Sequence, residues 1–193
     1  FMEARSGDFR HIRIYNNRIH LNLASLQSSD APRGIMVVPP PRSTGLLGRW
    51  PEFEDIVVAN NLIYDLAGTH QLIQFSNQTD THSNVFTDCH VYNNIGVNGG
   101  GYNLDAAIAA ANNVRFSAAE AASRFARYVE NDLTSDMTLV AGATDLIDQG
   151  TDASAFFTTD ANGELRSAPW DIGPYIYGTP PIAVAPTFTL QPQ

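Results

Sequence analysis

Apolar and polar positions in the first hundred residues alternate in short bursts that repeat. Phe9-Arg10-His11-Ile12-Arg13-Ile14-Tyr15-Asn16-Asn17-Arg18-Ile19 aligns without gaps to Phe53-Glu54-Asp55-Ile56-Val57-Val58-Ala59-Asn60-Asn61-Leu62-Ile63. Both align to Phe86-Thr87-Asp88-Cys89-His90-Val91-Tyr92-Asn93-Asn94-Ile95. Writing h for an apolar residue, the shared pattern is Phe-x-x-h-x-h-x-Asn-Asn, closed by an apolar residue. The h-x-h alternation has the period of a strand with one buried face, and the Asn-Asn pair ends it where the backbone must turn. Each copy predicts a short strand followed by a sharp bend. Two weaker strands, Gly34–Pro39 and Ile73–Asn77, fit between the strong ones. Successive strands are then roughly 16 to 22 residues apart, near one coil of a solenoid.

A short strand cannot bury its apolar face alone. Like strands stacked in parallel at about 4.8 Å bury Ile, Val and Phe in one column, and asparagine recurring at the bend can hydrogen-bond along the stack. The expectation is an all-β solenoid, a parallel β-helix whose coils fill residues 1–102. Pro39 to Pro51 and Gly96 to Gly101 read as loops that leave the stack. From Asn103 to Glu130 alanine dominates and β-branched residues thin out. Ser117-Ala118-Ala119-Glu120 has capping-box spacing, which predicts one flanking helix over Ala118–Glu130, with a shorter one over Asp105–Ala111 as an option. Residues 103–178 are read as this helix plus a closing segment of the same stack, and 179–193 as a proline-spaced linker to a further domain.

Charge narrows the partners. There are 20 acidic residues against 11 Lys and Arg, a net charge of −9, and every basic residue is Arg. That disfavours nucleic acid and anionic membrane, and removes lysine-based Schiff-base or general-base chemistry. The lone Cys89 has no partner for a disulfide within the chain and reads as a small core residue. No stretch approaches the roughly 20 apolar residues of a membrane span.

If Ile12, Ile14, Ile56, Val58, Cys89 and Val91 face inward, alternation sends His11, Arg13, Tyr15, Asp55, Asp88, His90 and Tyr92 to one outer face. A column of Tyr, Asp, His and Arg at strand spacing could grip an extended polysaccharide by stacking and hydrogen bonds. Asp80-Thr81-His82 and Asp88-Cys89-His90 each place a carboxylate and an imidazole on one strand face, suited to a general base or half a metal site. Asp145, Asp148, Asp152, Asp160 and Asp171 make calcium the one candidate cofactor. The Asp160-Ala161-Asn162-Gly163-Glu164 stretch nevertheless reads better as an Asx-type turn, and no resident metal is expected.

The segments Thr144-Asp145-Leu146-Ile147-Asp148-Gln149-Gly150, Asp160-Ala161-Asn162-Gly163-Glu164-Leu165-Arg166 and Trp170-Asp171-Ile172-Gly173-Pro174-Tyr175-Ile176-Tyr177 resemble the closing segment of many secreted bacterial proteins of the right-handed parallel β-helix, pectate-lyase-like superfamily. There "Ser-Pro-Ala-Ile-Asp-Ala-Gly", "Asp-x-x-Gly-x-x-Arg" and "Asp-Ile-Gly-Ala-Tyr-Glu-Tyr" recur. Here Ala143-Thr144-Asp145-Leu146 replaces the Ser-Pro-Ala element, and Pro174 and Ile176 replace Ala and Glu. The resemblance implies a right-handed coil and a secreted or cell-surface setting, virion included. The expected function is an extracellular binding or structural module of a larger surface protein, appendage or phage tail that engages polysaccharide. The alternative is a polysaccharide lyase or glycoside hydrolase domain, with His11 or Arg13 as base, although no catalytic motif of the superfamily maps onto this chain. Phe9 already lies in a full repeat, so a neighbouring subunit or preceding coils are expected to cover the first strand edge.

Overall fold

The computed structural model describes residues 2–3 (backbone), 8–21, 33–38, 52–66, 68–76, 86–130, 132 and 134–179. The proline-rich loop at 39–51, the Asp80-Thr81-His82 pair and linker residues 180–193 lie outside them. The chain makes four passes. The first contributes β1 (Met2–Glu3), β2 (Phe9–Tyr15) and β3 (Arg18–Leu21), and the second β4 (Ile35–Val38), β5 (Phe53–Ala59) and β6 (Leu62–Asp65). The third contributes β7 (Gln71–Phe75), β8 (Phe86–Thr87), β9 (His90–Tyr92) and β10 (Ile95–Val97). The fourth contributes β11 (Gly101–Leu104), β12 (Ala109–Ala111) and β13 (Val114–Phe116). Each pass lays a strand in each of three parallel sheets, ordered β1-β4-β7-β11, β2-β5-β9-β12 and β3-β6-β10-β13, with β8 also pairing β5. Among the described residues the protein is nearly all-β, and the one helix, α1 (Ala118–Ala121), is a single turn.

Registers follow the repeat alignment. Phe9 pairs Phe53 and Phe53 pairs Phe86; Ile14 pairs Val58 and Val58 pairs Val91. The strong copies are thus direct neighbours in one sheet, whereas the weaker strands β4 and β7 pair with each other in another. One pass therefore takes 44, 33 and then 19 residues between equivalent asparagines: the first two exceed the 16 to 22 expected, and the third falls within it. Inward side chains of the sheets meet in one core that includes Val37, Phe75, Phe53, Ile56, Val58, Val91, Cys89 and Ile63.

The Phe-x-x-h spacing has a backbone cause. In a straight strand, residues three apart face opposite sides. Here the residue before the first h position of each copy adopts left-handed angles: His11 (φ 57), Asp55 (φ 54) and Asp88 (φ 50). That inserted bend returns both Phe and Ile, or Phe and Cys, to the core, and His and Asp are among the side chains that tolerate it best. The first asparagine of each pair does the same at the corner: Asn16, Asn60, Asn93 and Asn112 have φ of 56, 53, 55 and 53.

The second asparagines form a ladder. The Nδ2 of Asn17 donates to Asn61 Oδ1 (2.9 Å), that of Asn61 to Asn94 Oδ1 (3.0 Å) and that of Asn94 to Asn113 Oδ1 (2.8 Å). Backbone N–H groups of Asn17, Asn61 and Asn94 donate to the same oxygens. The remaining Nδ2 protons of Asn61, Asn94 and Asn113 reach the carbonyls of Ile14, Val58 and Val91.

Three expectations are corrected. Gly96 to Gly101 does not leave the stack: Gly96 is in β10, and Gly99-Gly100 make a tight corner under Leu72. A Cβ on Gly100 would stand 2.9 Å from the backbone oxygen of Thr69, which the corner cannot easily move, so glycine suits it. Ala109–Ala111 is a strand, and Asn112-Asn113 after it is a fourth asparagine pair. The predicted helix over 118–130 keeps its capping box, with Ser117 Oγ accepting from Glu120 N and the Glu120 carboxylate accepting from Ser117 N, but stops at Ala121. Phe125 instead enters β14 (Phe125–Arg127), antiparallel to β15 (Asp136–Leu139). That hairpin buries Phe125, Met137 and Leu139 against Leu62, Tyr64, Ile95 and Val97 on the outer face of the β3-β6-β10-β13 sheet. This burial outweighs alanine's helix preference of a few tenths of a kcal/mol per residue.

Two substitutions test the stack by urea unfolding. Asn94→Ala removes four hydrogen bonds and strands the Asn61 amide donors, with an expected loss of about 2–5 kcal/mol. Val58→Asp, at a site with no exposure, should abolish the cooperative transition, because an unpaired core charge costs more than most domains can lose.

Candidate functional site

The left-handed residues His11, Asp55 and Asp88 occupy equivalent places in β2, β5 and at the β8–β9 junction. They form a polar row crossing three passes at the outer rim of the sheet. All seven residues singled out from sequence lie on this outer side, six of them in two clusters and Tyr15 apart from both. In the first, Arg13 Nη2 donates to both oxygens of the Asp55 carboxylate, at 2.7 Å each, and His11 Nδ1 donates to Asp55 Oδ2 at 2.7 Å. The Arg13 hydrogen bonds, then that of His11, hold the Asp55 carboxyl below its ordinary range. Since Nδ1 is the donor to Asp55, the Nε2 of His11 is left facing outward on a side chain 75% exposed.

In the second cluster, His90 Nε2 donates to Asp88 Oδ1 (2.9 Å), because a carboxylate can only accept. In the neutral imidazole Nδ1 then accepts from the Tyr92 hydroxyl at 2.8 Å. Burial, with Asp88 adding to it, pushes the Tyr92 phenol up, so it stays a donor. Asp88 is 66% exposed whereas His90 is 16% exposed, so the carboxylate is the outward end of this chain.

Alternation alone would leave Tyr15 and Tyr92 as open stacking platforms. The structure instead lays the chain's own segment 151–170 across them. Phe157 stacks on Tyr15 with centroids 4.3 Å apart, Phe156 packs on His90 at 5.0 Å, and the Arg13 guanidinium lies 5.2 Å over the Phe156 ring. Val57 and Ala59, outward on β5, are sealed beneath Ala153, Phe157 and Trp170. What stays open is the rim row of His11, Asp55 and Asp88, with Phe156 beside it. Sequence reasoning missed Phe156 and Phe157. Their signal was two adjacent aromatics in a polar stretch, together with apolar Val57 and Ala59 at outward positions.

The first asparagines hold this segment down. Asn16 Nδ2 donates to Thr159 O, Asn60 Nδ2 to Asp171 O and Gly173 O, and Asn93 exchanges hydrogen bonds with the Thr151 backbone. Of the five acidic residues weighed for calcium, four have their carboxylates committed elsewhere, Asp148 being the exception among the described residues. Asp145 pairs with Arg124 at 2.7 Å, and Asp152 caps Ser154 N. Asp160 accepts from the backbone of Asn162, Glu164 and Ile176, and Asp171 from that of Asp148 and Tyr177. Asp160 is thus the expected Asx-type turn. Among the described residues no three His, Cys, Asp or Glu side chains are gathered as a metal would need. Cys89 is buried and its thiol is pushed up by burial.

No protein-family model, curated protein or solved structure matches the chain. The class defined by the geometry of the described residues is a nearly all-β protein of parallel sheets, with one short helix and an antiparallel hairpin.

The Asp55 cluster predicts a pH signature. A carboxyl lowered on folding contributes stability that is full above its unfolded value, near 3.8, and is lost as pH falls through the lower folded value. The stability gap between wild type and Asp55→Asn in urea melts should therefore be full at neutral pH and close in strong acid. A gap independent of pH would show that the Arg13 and His11 contacts add nothing in solution.

Proposed function

We propose that this chain is an extracellular binding or structural module, built as a right-handed parallel β-helix within a larger surface protein, appendage or phage tail, and that it engages polysaccharide through its rim row. The observation that carries the reading is the row itself: His11, Asp55 and Asp88, prepared by Arg13 and His90, repeat once per strand. A strand spacing of about 4.8 Å is close to the rise of a sugar unit, so an extended glycan would meet a like set of donors and acceptors at each step. The β-helix reading is supported by four passes that each supply three parallel sheets with like strands in the register of the repeat. A net charge of −9 without lysine favours a neutral or cationic glycan over a polyanion. Calcium remains the one cation such a module could recruit. The outer edge of β2 invites a neighbouring subunit or preceding coils.

A second reading has one observation in its favour. Asp55 orients His11 with Nε2 outward, the arrangement of a carboxylate-steered general base, as a polysaccharide lyase or glycoside hydrolase would use. The two readings separate in one assay of neutral and uronate polysaccharides, scored for retention on affinity gels and for new reducing ends. The binding reading expects retention without cleavage, and at least tenfold weaker retention for His11→Ala and Asp88→Ala while both keep a cooperative melting transition. Cleavage lost in His11→Ala transfers the assignment to the enzyme. Absence of both retention and cleavage removes polysaccharide from the proposal.

A further inference from the structure

The closing segment contains a cavity of about 170 Å³ away from the rim row. Its wall includes Asp148, Arg166, Ser167, Trp170, Asp171 and Tyr177. The floor is fixed. Trp170 is buried, held edge-on against Phe157 at 5.3 Å, and the Arg166 guanidinium lies 5.2 Å over its ring. Arg166 is anchored through its Nη atoms to the carbonyls of Asp171 and Gly173 and to Asn16 Oδ1, and both Asp171 oxygens are taken by backbone N–H groups.

Other groups of the wall are uncommitted. Arg166 Nε is buried without an acceptor. Among the described residues the Asp148 carboxylate and the Ser167 and Tyr177 hydroxyls likewise have no hydrogen-bond partner, and Tyr177 is an exposed aromatic at the mouth. Donors, acceptors and an aromatic face thus converge on one small space. The cation of Arg166 is offset by Asp160 and Asp171, so an anionic ligand gains little there, and a small cation would leave the Arg166 donor unused. A ligand carrying several hydroxyls, each able to donate and accept, matches the set. The volume is below the ~300–1,000 Å³ of pockets for drug-sized ligands, the scale of one sugar ring.

We propose that this pocket binds a single neutral monosaccharide unit, with Asp148 and Ser167 taking its hydroxyls, Arg166 Nε donating from below and Tyr177 packing against the ring. The proposal does not depend on the rim row, and the two are separable.

The test uses Trp50→Phe, which leaves Trp170 as the sole indole of the two in the chain, and titrates its fluorescence with free glucose, galactose, mannose, glucuronate and acetate. The expected result is a saturable change with at least one neutral hexose, weakened at least tenfold by Asp148→Ala and by Tyr177→Ala, both of which keep a cooperative melting transition. The same signal should be indifferent to His11→Ala, which is expected to weaken retention of the polymer alone. The proposal is overturned if no hexose saturates the signal in wild type by either fluorescence or calorimetry. It is also overturned if glucuronate or acetate binds better than every neutral hexose, or if neither Asp148→Ala nor Tyr177→Ala weakens binding.

Discussion

A buried primary amide carries two donors and an acceptor that water cannot reach, and the cost of leaving them unpaired shapes this molecule. Asn61 and Asn94 are fully buried at a corner between sheets. Each satisfies its group by donating to the next amide and to a carbonyl of the preceding pass, while its oxygen accepts two N–H groups. The arrangement closes only if every pass brings an asparagine to the same place. A slip of one residue would break the ladder and turn the apolar face of every strand outward. Register, the inward column of Phe, Ile and Val, and the position of each bend all follow from that requirement.

The two asparagines of a pair divide the corner between them. The first, left-handed in its backbone, points its amide away from the core and grips the segment that returns over the outer face. That segment is stiffened from within by the carboxylates of Asp160 and Asp171, which collect backbone N–H groups, and by Arg166, which collects carbonyls. A solvent-facing sheet surface thereby becomes a second core around Val57, Ala59, Phe157 and Trp170. The polar chemistry that survives is pushed to the rim, where His11, Asp55 and Asp88 mark the inserted bend.

The site was legible to an uneven degree. All seven outward residues could be named from alternation, and the Asp88–His90 contact from their spacing on one strand. The bond from His11 to Asp55 joins residues 44 apart, and follows only when the two copies are stacked as neighbours. The loss of Tyr15 as a platform was hidden for the same reason, since Phe157 comes from a part of the chain with no periodic pattern. Ala109–Ala111 misled because alanine states a preference of tenths of a kcal/mol, while the Asn112-Asn113 pair after it carried the stronger signal.

By itself, the sequence determined the repeating strand, its inward face, its asparagine bends and the capping box at Ser117, all consequences of local backbone geometry and of which side chains tolerate burial. Only the tertiary structure decided which strands are neighbours, that the helix yields to a hairpin after Ala121, and that 151–170 covers the outer face. The reason is physical: these outcomes depend on apolar area shared between segments tens of residues apart, and no local pattern records that sum.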